Sequence, residues 1–329
     1  MEGILGALGK AVLGLGVLGA GLWTFGPYEP VDLKASFDPA KFDGGVAAYF
    51  ERVEGAFSDI TPGTEKRVIW AGEPEARTPV SVVYIHGFSG TSEEIRPVPD
   101  RVAQALGANL VYTRLAGHGR PGSAMAEPTV NDWMQDLAEA LAAARKVGER
   151  VVVIATSTGA TLMTAAALDP ELSRDLAGIV MVSPNYGINH PVAALLTWPA
   201  ARHWLPLLAG KERSFPARSP EHERFWTTSY PSVAAMPMAA LVKAVTQLKL
   251  EETRIPALFW FSEKDQVVRP DLTQKVAARW GGLVKLQNRD PGPDDDPYAH
   301  VMAGDVMSPG QTDTAVQDIL SWLSDLEVK

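Results

Sequence analysis

Short apolar runs that alternate with helical segments constrain the fold of this chain most. Seven runs rich in Val and Ile stand out in the sequence: Arg67–Ala71, Val80–Ile85, Asn109–Thr113, Val151–Ala155, Gly178–Ser183, Ala257–Ser262 and Leu283–Gln287. Most of them are unbroken, as expected of strands that are covered on both faces. Strands that alternate with helices in this way predict a mostly parallel sheet with helices on both sides.

Amphipathic helical segments lie between these runs. The clearest is Thr129–Val147, in which Thr129 is a helix-capping residue and apolar side chains recur at helical spacing. A similar stretch, Asp43–Phe57, precedes the first strand. Residues 185–254 break the alternation, because they contain no convincing strand and are too long for a plain crossover. We interpret them as an inserted helical cap.

Composition and charge limit the classes of function. The chain has 30 Lys and Arg against 39 Asp and Glu, a net charge of −9, and no concentrated basic stretch, which argues against a nucleic-acid partner. It has no Cys, so disulfides, thiolate catalysis and cysteine-ligated metal sites are excluded. The acidic stretch Asp290–Asp296 matches no known calcium-binding spacing. We therefore expect a solvated loop there and predict no metal site.

The run Val151–Ala155 leads through Thr156 to Ser157 and then into an Ala-rich helical stretch. Small residues, Ala155 and Gly159, lie two positions to either side of Ser157. A nucleophilic serine on a sharp strand-to-helix turn needs small neighbours, because the strand and helix backbones must approach closely. The pattern predicts Ser157 as a nucleophile.

A serine hydroxyl needs a base to become a good nucleophile. In serine nucleophiles of this strand–turn–helix type, an acid and then a histidine follow in chain order. Asp265 follows the strand Ala257–Ser262, and of the six histidines (86, 118, 190, 203, 222 and 300) only His300 comes later. The order therefore selects Asp265 as the acid that holds the imidazole and His300 as the base.

An oxyanion hole is the remaining part of such a site. The run Val80–Ile85 leads into His86-Gly87-Phe88-Ser89-Gly90, in which two glycines let the backbone turn so that N–H groups face a cavity. We assign the N–H of Phe88 as one donor and the N–H of Thr158, at the start of the helix after the nucleophile, as the other. His86 is interpreted as a residue that fixes the loop.

These residues resemble the α/β-hydrolase superfamily, and within it the branch of monoacylglycerol lipases, carboxylesterases and serine aminopeptidases. The matching motifs are His86-Gly87-Phe88-x-Gly90, Leu115-x-Gly117-His118-Gly119, the Ser157 elbow, Ser262-x-x-Asp265-x-Val267-Val268 and His300-Val301. Ala155 departs from the glycine usual at that position of the elbow. The resemblance implies an eight-stranded, mostly parallel sheet, no cofactor, and ester hydrolysis through an acyl-enzyme.

Several substrates and roles stay open from the sequence. The leading expectation is a carboxylic ester hydrolase that acts on monoacyl lipids or other acyl esters. Hydrolysis of amides or peptides, for which Glu221 or Glu223 in the cap would hold a substrate amine, and hydrolysis of thioesters are alternatives. A membrane-tethered binding protein on a hydrolase scaffold is a non-enzymatic alternative. Aromatic residues of the cap either line an acyl pocket or form the cap's own core; they are Trp198, Trp204, Phe225, Trp226 and Tyr230.

Residues 1–26 form a separate apolar segment, followed by a linker with an amphipathic helix at 27–65 and by the hydrolase domain at 66–329, which carries the cap at about 185–254. In residues 3–26 the only charge is Lys10, and the aromatic residues Trp23 and Phe25 lie near the end. About 20 apolar residues span a bilayer, so we expect a retained membrane anchor. A cleaved signal peptide and an apolar helix docked on the domain are the alternatives. The distribution of positive charge favours an extracytoplasmic catalytic domain.

Overall fold

The computed structural model describes the backbone of residues 2–328 and the side chains of Lys10, Leu13 and residues 16–328. The α-helices in this range are α1 (Glu2–Phe25), α2 (Val46–Glu54), α3 (Val98–Leu106), α4 (Val130–Val147), α5 (Thr158–Ala166), α6 (Ala201–Ala209), α7 (Pro220–Phe225), α8 (Ala235–Val245), α9 (Pro270–Arg279) and α10 (Thr312–Asp325). The strands are β1 (Arg67–Ile69), β2 (Thr78–Ile85), β3 (Asn109–Tyr112), β4 (Gly148–Thr156), β5 (Leu176–Val182), β6 (Glu212–Ser214), β7 (Ser229–Pro231), β8 (Ala257–Phe261) and β9 (Val284–Asn288).

A seven-stranded sheet with the order β1-β3-β2-β4-β5-β8-β9 forms the centre of the fold. β1 pairs antiparallel with β3, and all other neighbours are parallel. Each of the seven apolar runs overlaps one of these strands, which confirms the prediction of a mostly parallel sheet. The expectation of eight strands is wrong by one for the part of the chain that the structure describes.

Two separate cores lie on the two faces of this sheet. In β2, Val83 and Ile85 join one core, whereas Val82 and Tyr84 join the other. All four side chains are fully buried. Successive side chains of a strand point to opposite faces, so a strand that is covered on both sides must be apolar at every position. This explains why the runs lack alternation.

The helix α4 begins where the sequence predicts. Thr129 precedes its first residue and accepts a hydrogen bond from the N–H of Asp132, while the Asp132 carboxylate accepts from the N–H of Thr129. This reciprocal pair satisfies two N–H groups that have no partner within the helix. The apolar stripe of α4, which includes Trp133 and Leu137, is fully buried against the sheet.

The cap lies between β5 and β8 and contains α6, α7 and α8, as expected for an inserted helical segment. It also contains a two-stranded antiparallel sheet, in which Arg213 of β6 pairs with Tyr230 of β7. The expectation that residues 185–254 hold no strand is therefore wrong. Each strand has only three residues, which is too short for a hydrophobic pattern to reveal.

The N-terminal segment forms α1, whose end contacts the cap. The rings of Trp23 and Trp198 meet edge to face with centroids 5.6 Å apart. Just after the helix, the carbonyl of Pro27 accepts from the N–H of Ala200 at 2.7 Å, and Glu29 pairs with Arg202.

The expected membrane anchor at residues 3–26 is wrong, and the expected extracytoplasmic placement loses the anchor on which it was based. Among the described residues, no helix combines the length and the apolar character needed to cross a bilayer. The physical reason lies in the sequence: the uninterrupted apolar run after Lys10 is shorter than the about 20 residues that a spanning helix needs.

The amphipathic helix predicted within residues 43–57 is α2, and it is packed into the main core through Val46 and Phe50. The helix also brings Glu54 to Arg114, whose guanidinium donates to both carboxylate oxygens at 2.7 and 2.8 Å. Both side chains are almost fully buried. The pair ties α2 to the loop after β3. The domain boundaries at residues 26 and 65 stay predictions.

Replacing Glu54 with Ala is expected to lower the free energy of unfolding by about 3–5 kcal/mol, because the guanidinium of Arg114 would stay buried without its counter-charge. Urea unfolding followed by tryptophan fluorescence measures the change. Glu51→Ala is the matched control, since Glu51 lies on the same helix and is exposed. Equal losses in the two variants would contradict the role assigned to the pair.

Candidate active site

Ser157 lies on the sharp turn between β4 and α5. Its backbone has φ 50° and ψ −114°, a conformation that residues other than glycine rarely adopt and that costs about 1–3 kcal/mol. The neighbouring strand β5 holds this turn in place, because the N–H of Ser157 donates to the carbonyl of Val182 at 2.9 Å. Its carbonyl accepts from the N–H of Asn185 at 3.1 Å.

Gly159, two positions after the nucleophile, must be small because two stretches of backbone approach closely there. A Cβ at Gly159 would lie 2.4 Å from the carbonyl oxygen of Ile85 and 2.6 Å from that of His86. Ala155, the other small neighbour, lies in the sheet between Ile85 of β2 and Met181 of β5. The α5 backbone therefore packs directly on the end of β2, as the sequence pattern indicates.

The structure brings Ser157, His300 and Asp265 together from distant parts of the chain. His300 Nε2 lies 3.1 Å from Ser157 Oγ, and His300 Nδ1 lies 2.8 Å from Asp265 Oδ2. All three residues are buried, with 5% of Ser157, 5% of Asp265 and 8% of His300 exposed. A serine, an imidazole and a carboxylate in one continuous hydrogen-bonded line is an arrangement that can move a proton off the hydroxyl.

The carboxylate of Asp265 is oriented by its own loop. Its Oδ1 accepts from the N–H groups of Val267 and Val268 at 2.8 and 2.9 Å, which leaves Oδ2 for His300. Two backbone donors on one oxygen restrict rotation of the side chain. The order Asp265-x-Val267-Val268 in the sequence thus corresponds to a tight turn around the acid.

Asp296 orients His300, and sequence reasoning missed it. Its Oδ2 accepts from the N–H groups of His300 and Val301 at 3.1 and 3.0 Å. Its neighbour Asp295 accepts from the N–H groups of Gly292 and Gly310. Asp295 and Asp296 are 3% and 2% exposed, so the expectation of a solvated acidic loop is wrong for these two residues. Their carboxylates have backbone partners that only the folded loop supplies.

The electrostatic surroundings of His300 favour its protonated form. Burial by itself would lower the pKa of His300 most, but the charge of Asp265 and its hydrogen bond, together with the charges of Glu94 and Asp296, outweigh burial. The pKa is therefore raised above its usual 6.5. An imidazole of this kind is a stronger base toward the Ser157 hydroxyl than a free one.

The predicted oxyanion donors lie against the nucleophile. Within the described chain, the N–H of Phe88 has no acceptor, and Thr158 is the first residue of α5, so its N–H has no partner within the helix. The loop of Phe88 is close to Ser157, since a Cβ at Gly87 would lie 3.0 Å from Ser157 Cβ. Both N–H groups are available to a developing negative charge.

The side chains of His86 and His118 form hydrogen bonds to backbone groups of the surrounding loops. His86 Nδ1 lies 2.9 Å from the carbonyl of Gly87, and its Nε2 accepts from the N–H of Leu115 at 3.0 Å. Burial and the neighbouring His118 lower the pKa of His86 far below 6.5. Burial likewise lowers the pKa of His118 to about 4. Neither residue contacts Ser157 through a hydrogen bond, in agreement with the loop-fixing interpretation of His86.

The aromatic residues of the cap contact different parts of the protein. Tyr230 meets Phe88 of the oxyanion loop edge to face, with ring centroids 5.3 Å apart. Trp226 is buried and packs on His222, whereas Trp198 contacts Trp204 and the end of α1. Tyr230 therefore contacts the loop of the predicted oxyanion hole, and Trp226 belongs to a core.

A Gly159→Ala substitution is expected to destabilise the protein by about 1–3 kcal/mol, as overpacking against rigid backbone does. The cause is the short approach to the carbonyls of Ile85 and His86. Thermal unfolding measures the effect. The matched control is Gly72→Ala, since a Cβ at Gly72 meets nothing within 4 Å, and an equal change in both variants would argue against the close approach.

Comparisons with known proteins point to one family. The model of the serine aminopeptidase S33 family matches residues 77–289, which is more than half of the chain. The thermostable monoacylglycerol lipase of Bacillus sp. (strain H-257) is 27% identical over 214 residues, which cover 64% of this chain and 82% of that protein.

Solved structures show the same fold. A structure from the metagenome-derived lipolytic enzymes LipS and LipT has a TM-score of 0.66 at 20% identity and covers 81% of this chain and 99% of its own. The monoacylglycerol lipase of Paleococcus ferrophilus has a TM-score of 0.55 at 13% identity, with 79% and 98% covered. The chain therefore belongs to the serine aminopeptidase S33 family and is an α/β hydrolase related to lipases and esterases.

Proposed function

We propose that the protein is a serine-dependent hydrolase of carboxylic esters, and that monoacyl lipids or similar acyl esters are its substrates. The observation that carries the proposal is the hydrogen-bonded line from Asp265 through His300 to Ser157 Oγ. The line supports an enzyme over a binding protein on a hydrolase scaffold, because ligand binding alone needs no proton relay.

The reaction follows from this geometry. Ser157 Oγ attacks the ester carbonyl carbon while His300 Nε2 takes the hydroxyl proton, and Asp265 stabilises the resulting imidazolium. The N–H groups of Phe88 and Thr158 donate to the oxyanion of the tetrahedral intermediate. Collapse breaks the ester bond, and His300 returns the proton to the leaving alkoxide. Water then attacks the acyl-enzyme by the same steps in reverse and releases the acid.

Two observations support an acyl lipid substrate. Less than a tenth of Ser157 and of His300 is exposed, and the ring of Tyr230 contacts the ring of Phe88 in the oxyanion loop. An apolar, water-poor site favours an acyl chain over a charged peptide. The sequence match to a monoacylglycerol lipase points the same way. The residues considered for amine binding, Glu221 and Glu223, are both exposed on α7, so no contact favours an aminopeptidase.

The Ser157→Ala variant is expected to lose about three to six orders of magnitude in kcat, because the nucleophile is gone while the fold is kept. Hydrolysis of monoacylglycerols and of aryl esters of increasing acyl length measures activity and gives the substrate class. A serine-directed phosphonate should label the wild type and Ser58→Ala, an exposed control site, but not Ser157→Ala. An active Ser157→Ala protein would refute the assignment.

The pH dependence of kcat/KM should show an acid limb with a midpoint above 6.5, because the neutral imidazole is the active form and the pKa of His300 is raised. As the pH falls through that pKa, His300 becomes an imidazolium and can no longer accept the Ser157 proton. Asp265→Asn removes a charge that raises the pKa, so its residual activity should extend to lower pH. A midpoint that stays unchanged in Asp265→Asn would contradict the assigned acid.

A further inference from the structure

A buried carboxyl group that the proposed mechanism does not use lies beneath the oxyanion loop. Glu94 is only 2% exposed and belongs to the connection between β2 and α3. A buried carboxyl group is costly unless it is hydrogen-bonded or paired with a charge. Its partners therefore indicate why the fold keeps it there.

The partners of Glu94 lie next to the proposed reacting groups. Its Oε2 accepts from the N–H of Gly87 at 2.7 Å and from the hydroxyl of Tyr84 at 3.0 Å. The Tyr84 hydroxyl is also 3.0 Å from Thr156 Oγ1. Gly87 directly precedes Phe88, and Thr156 directly precedes Ser157. One carboxyl group thus connects the oxyanion loop to the end of the strand that carries the nucleophile.

The oxyanion loop is shaped around this carboxyl group. A Cβ at Gly87 would lie 2.8 Å from Glu94 Oε1, and one at Gly90 would lie 2.9 Å from it. Neither glycine is among those with a positive φ, so their backbone conformations do not require glycine. A side chain at either position would crowd the Glu94 carboxylate, and at Gly87 it would also meet Ser157 Cβ at 3.0 Å.

Charge links Glu94 to the imidazole as well. Three carboxyl groups act on His300 through their charge: Asp265, which follows β8, Glu94, which lies between β2 and α3, and Asp296, which lies in the loop of His300 itself. Burial raises the pKa of Glu94 above its usual value, and the N–H of Gly87, the charge of His300 and the Tyr84 hydroxyl oppose this shift in part. Gly87 and Tyr84 both serve as donors to the carboxyl oxygen, which favours its anionic form.

We propose that Glu94 is a positioning residue for ester hydrolysis: its carboxylate fixes the Gly87 peptide so that the next N–H, that of Phe88, points at the oxyanion, and it sets a buried carboxyl group beside the reacting groups. The inference rests on the function proposed above. It predicts two separable effects, one on transition-state stabilisation and one on the pH profile.

Glu94→Ala is expected to lower kcat for a short aryl ester by about 10²-fold, the order found when one oxyanion donor is lost, with little change in KM. The oxyanion forms only in the transition state, so substrate binding is spared. Glu94→Gln keeps an acceptor for Gly87 and should restore most of kcat. Glu93→Gln is the control, since its carboxylate pairs with Arg67 and Arg96 rather than with the loop.

The pH profile tests the charge. Glu94→Gln should move the acid limb of kcat/KM to lower pH, because one negative charge that acts on His300 is lost. Glu93→Gln should keep the limb of the wild type. A purely structural role of Glu94 would lower activity at every pH by the same factor and leave the limb in place.

Each outcome decides the proposal. It is overturned if Glu94→Gln keeps the wild-type acid limb, or if Glu94→Ala changes KM rather than kcat. If thermal unfolding shows that Glu94→Ala does not fold, Glu94→Gln and Tyr84→Phe test the proposal instead. Tyr84→Phe is expected to lower kcat about tenfold, because one hydrogen bond of the carboxylate is removed. A wild type without esterase activity or Ser157 labelling would instead refute the proposed function itself.

Discussion

The hydrogen bond between His300 Nε2 and Ser157 Oγ is the contact on which the proposed chemistry depends. It joins groups that are 143 residues apart, so no local interaction can form it. The parallel sheet makes it possible, because the carboxyl ends of β4 and β8 meet at one edge, where ligands and reacting groups gather in open α/β sheets. The sheet order places the nucleophile and the acid at that edge.

The groups of the site lie on three loops, and buried hydrogen bonds beneath these groups hold each loop in place. Asp265 is held by two N–H groups of its own turn, and His300 by the carboxylate of Asp296. The loop of Phe88 rests on Glu94. Each of these carboxylates is nearly fully buried, so its hydrogen bonds are strong, and loss of any one would leave donors unsatisfied. The positions of the proposed reacting groups therefore depend on carboxylates that bind backbone N–H groups.

The cap and the catalytic loops are also connected. The N–H of Thr227 donates to the carbonyl of Ser89 at 2.8 Å, and Arg218 donates to the carbonyl of Asp295 at 3.3 Å. Tyr230 packs on Phe88. The cap thus contacts both the loop of Phe88 and the loop of His300, so its position affects the geometry of both loops.

Much of the fold was readable from the sequence because strands covered on both faces must be apolar throughout, as in Val80–Ile85, and because helix starts such as Thr129 have local chemistry. The short strands β6 and β7 were not readable, since three residues show no period. The predicted anchor at residues 3–26 failed because an apolar stretch near the required length does not by itself make a spanning helix.

The sequence by itself determined the order Ser157, Asp265, His300 and the glycine at 159, since chain order and backbone approach leave their marks in residue type and spacing. Only the tertiary structure decided which N–H groups Glu94 and Asp296 bind, and with it the positioning role that we propose for Glu94. Their roles depend on which N–H groups lie within reach of each carboxylate, as with Gly87 for Glu94 and His300 for Asp296. Such proximity is a property of packed loops, and an acidic residue in a sequence looks the same whether it is solvated or buried.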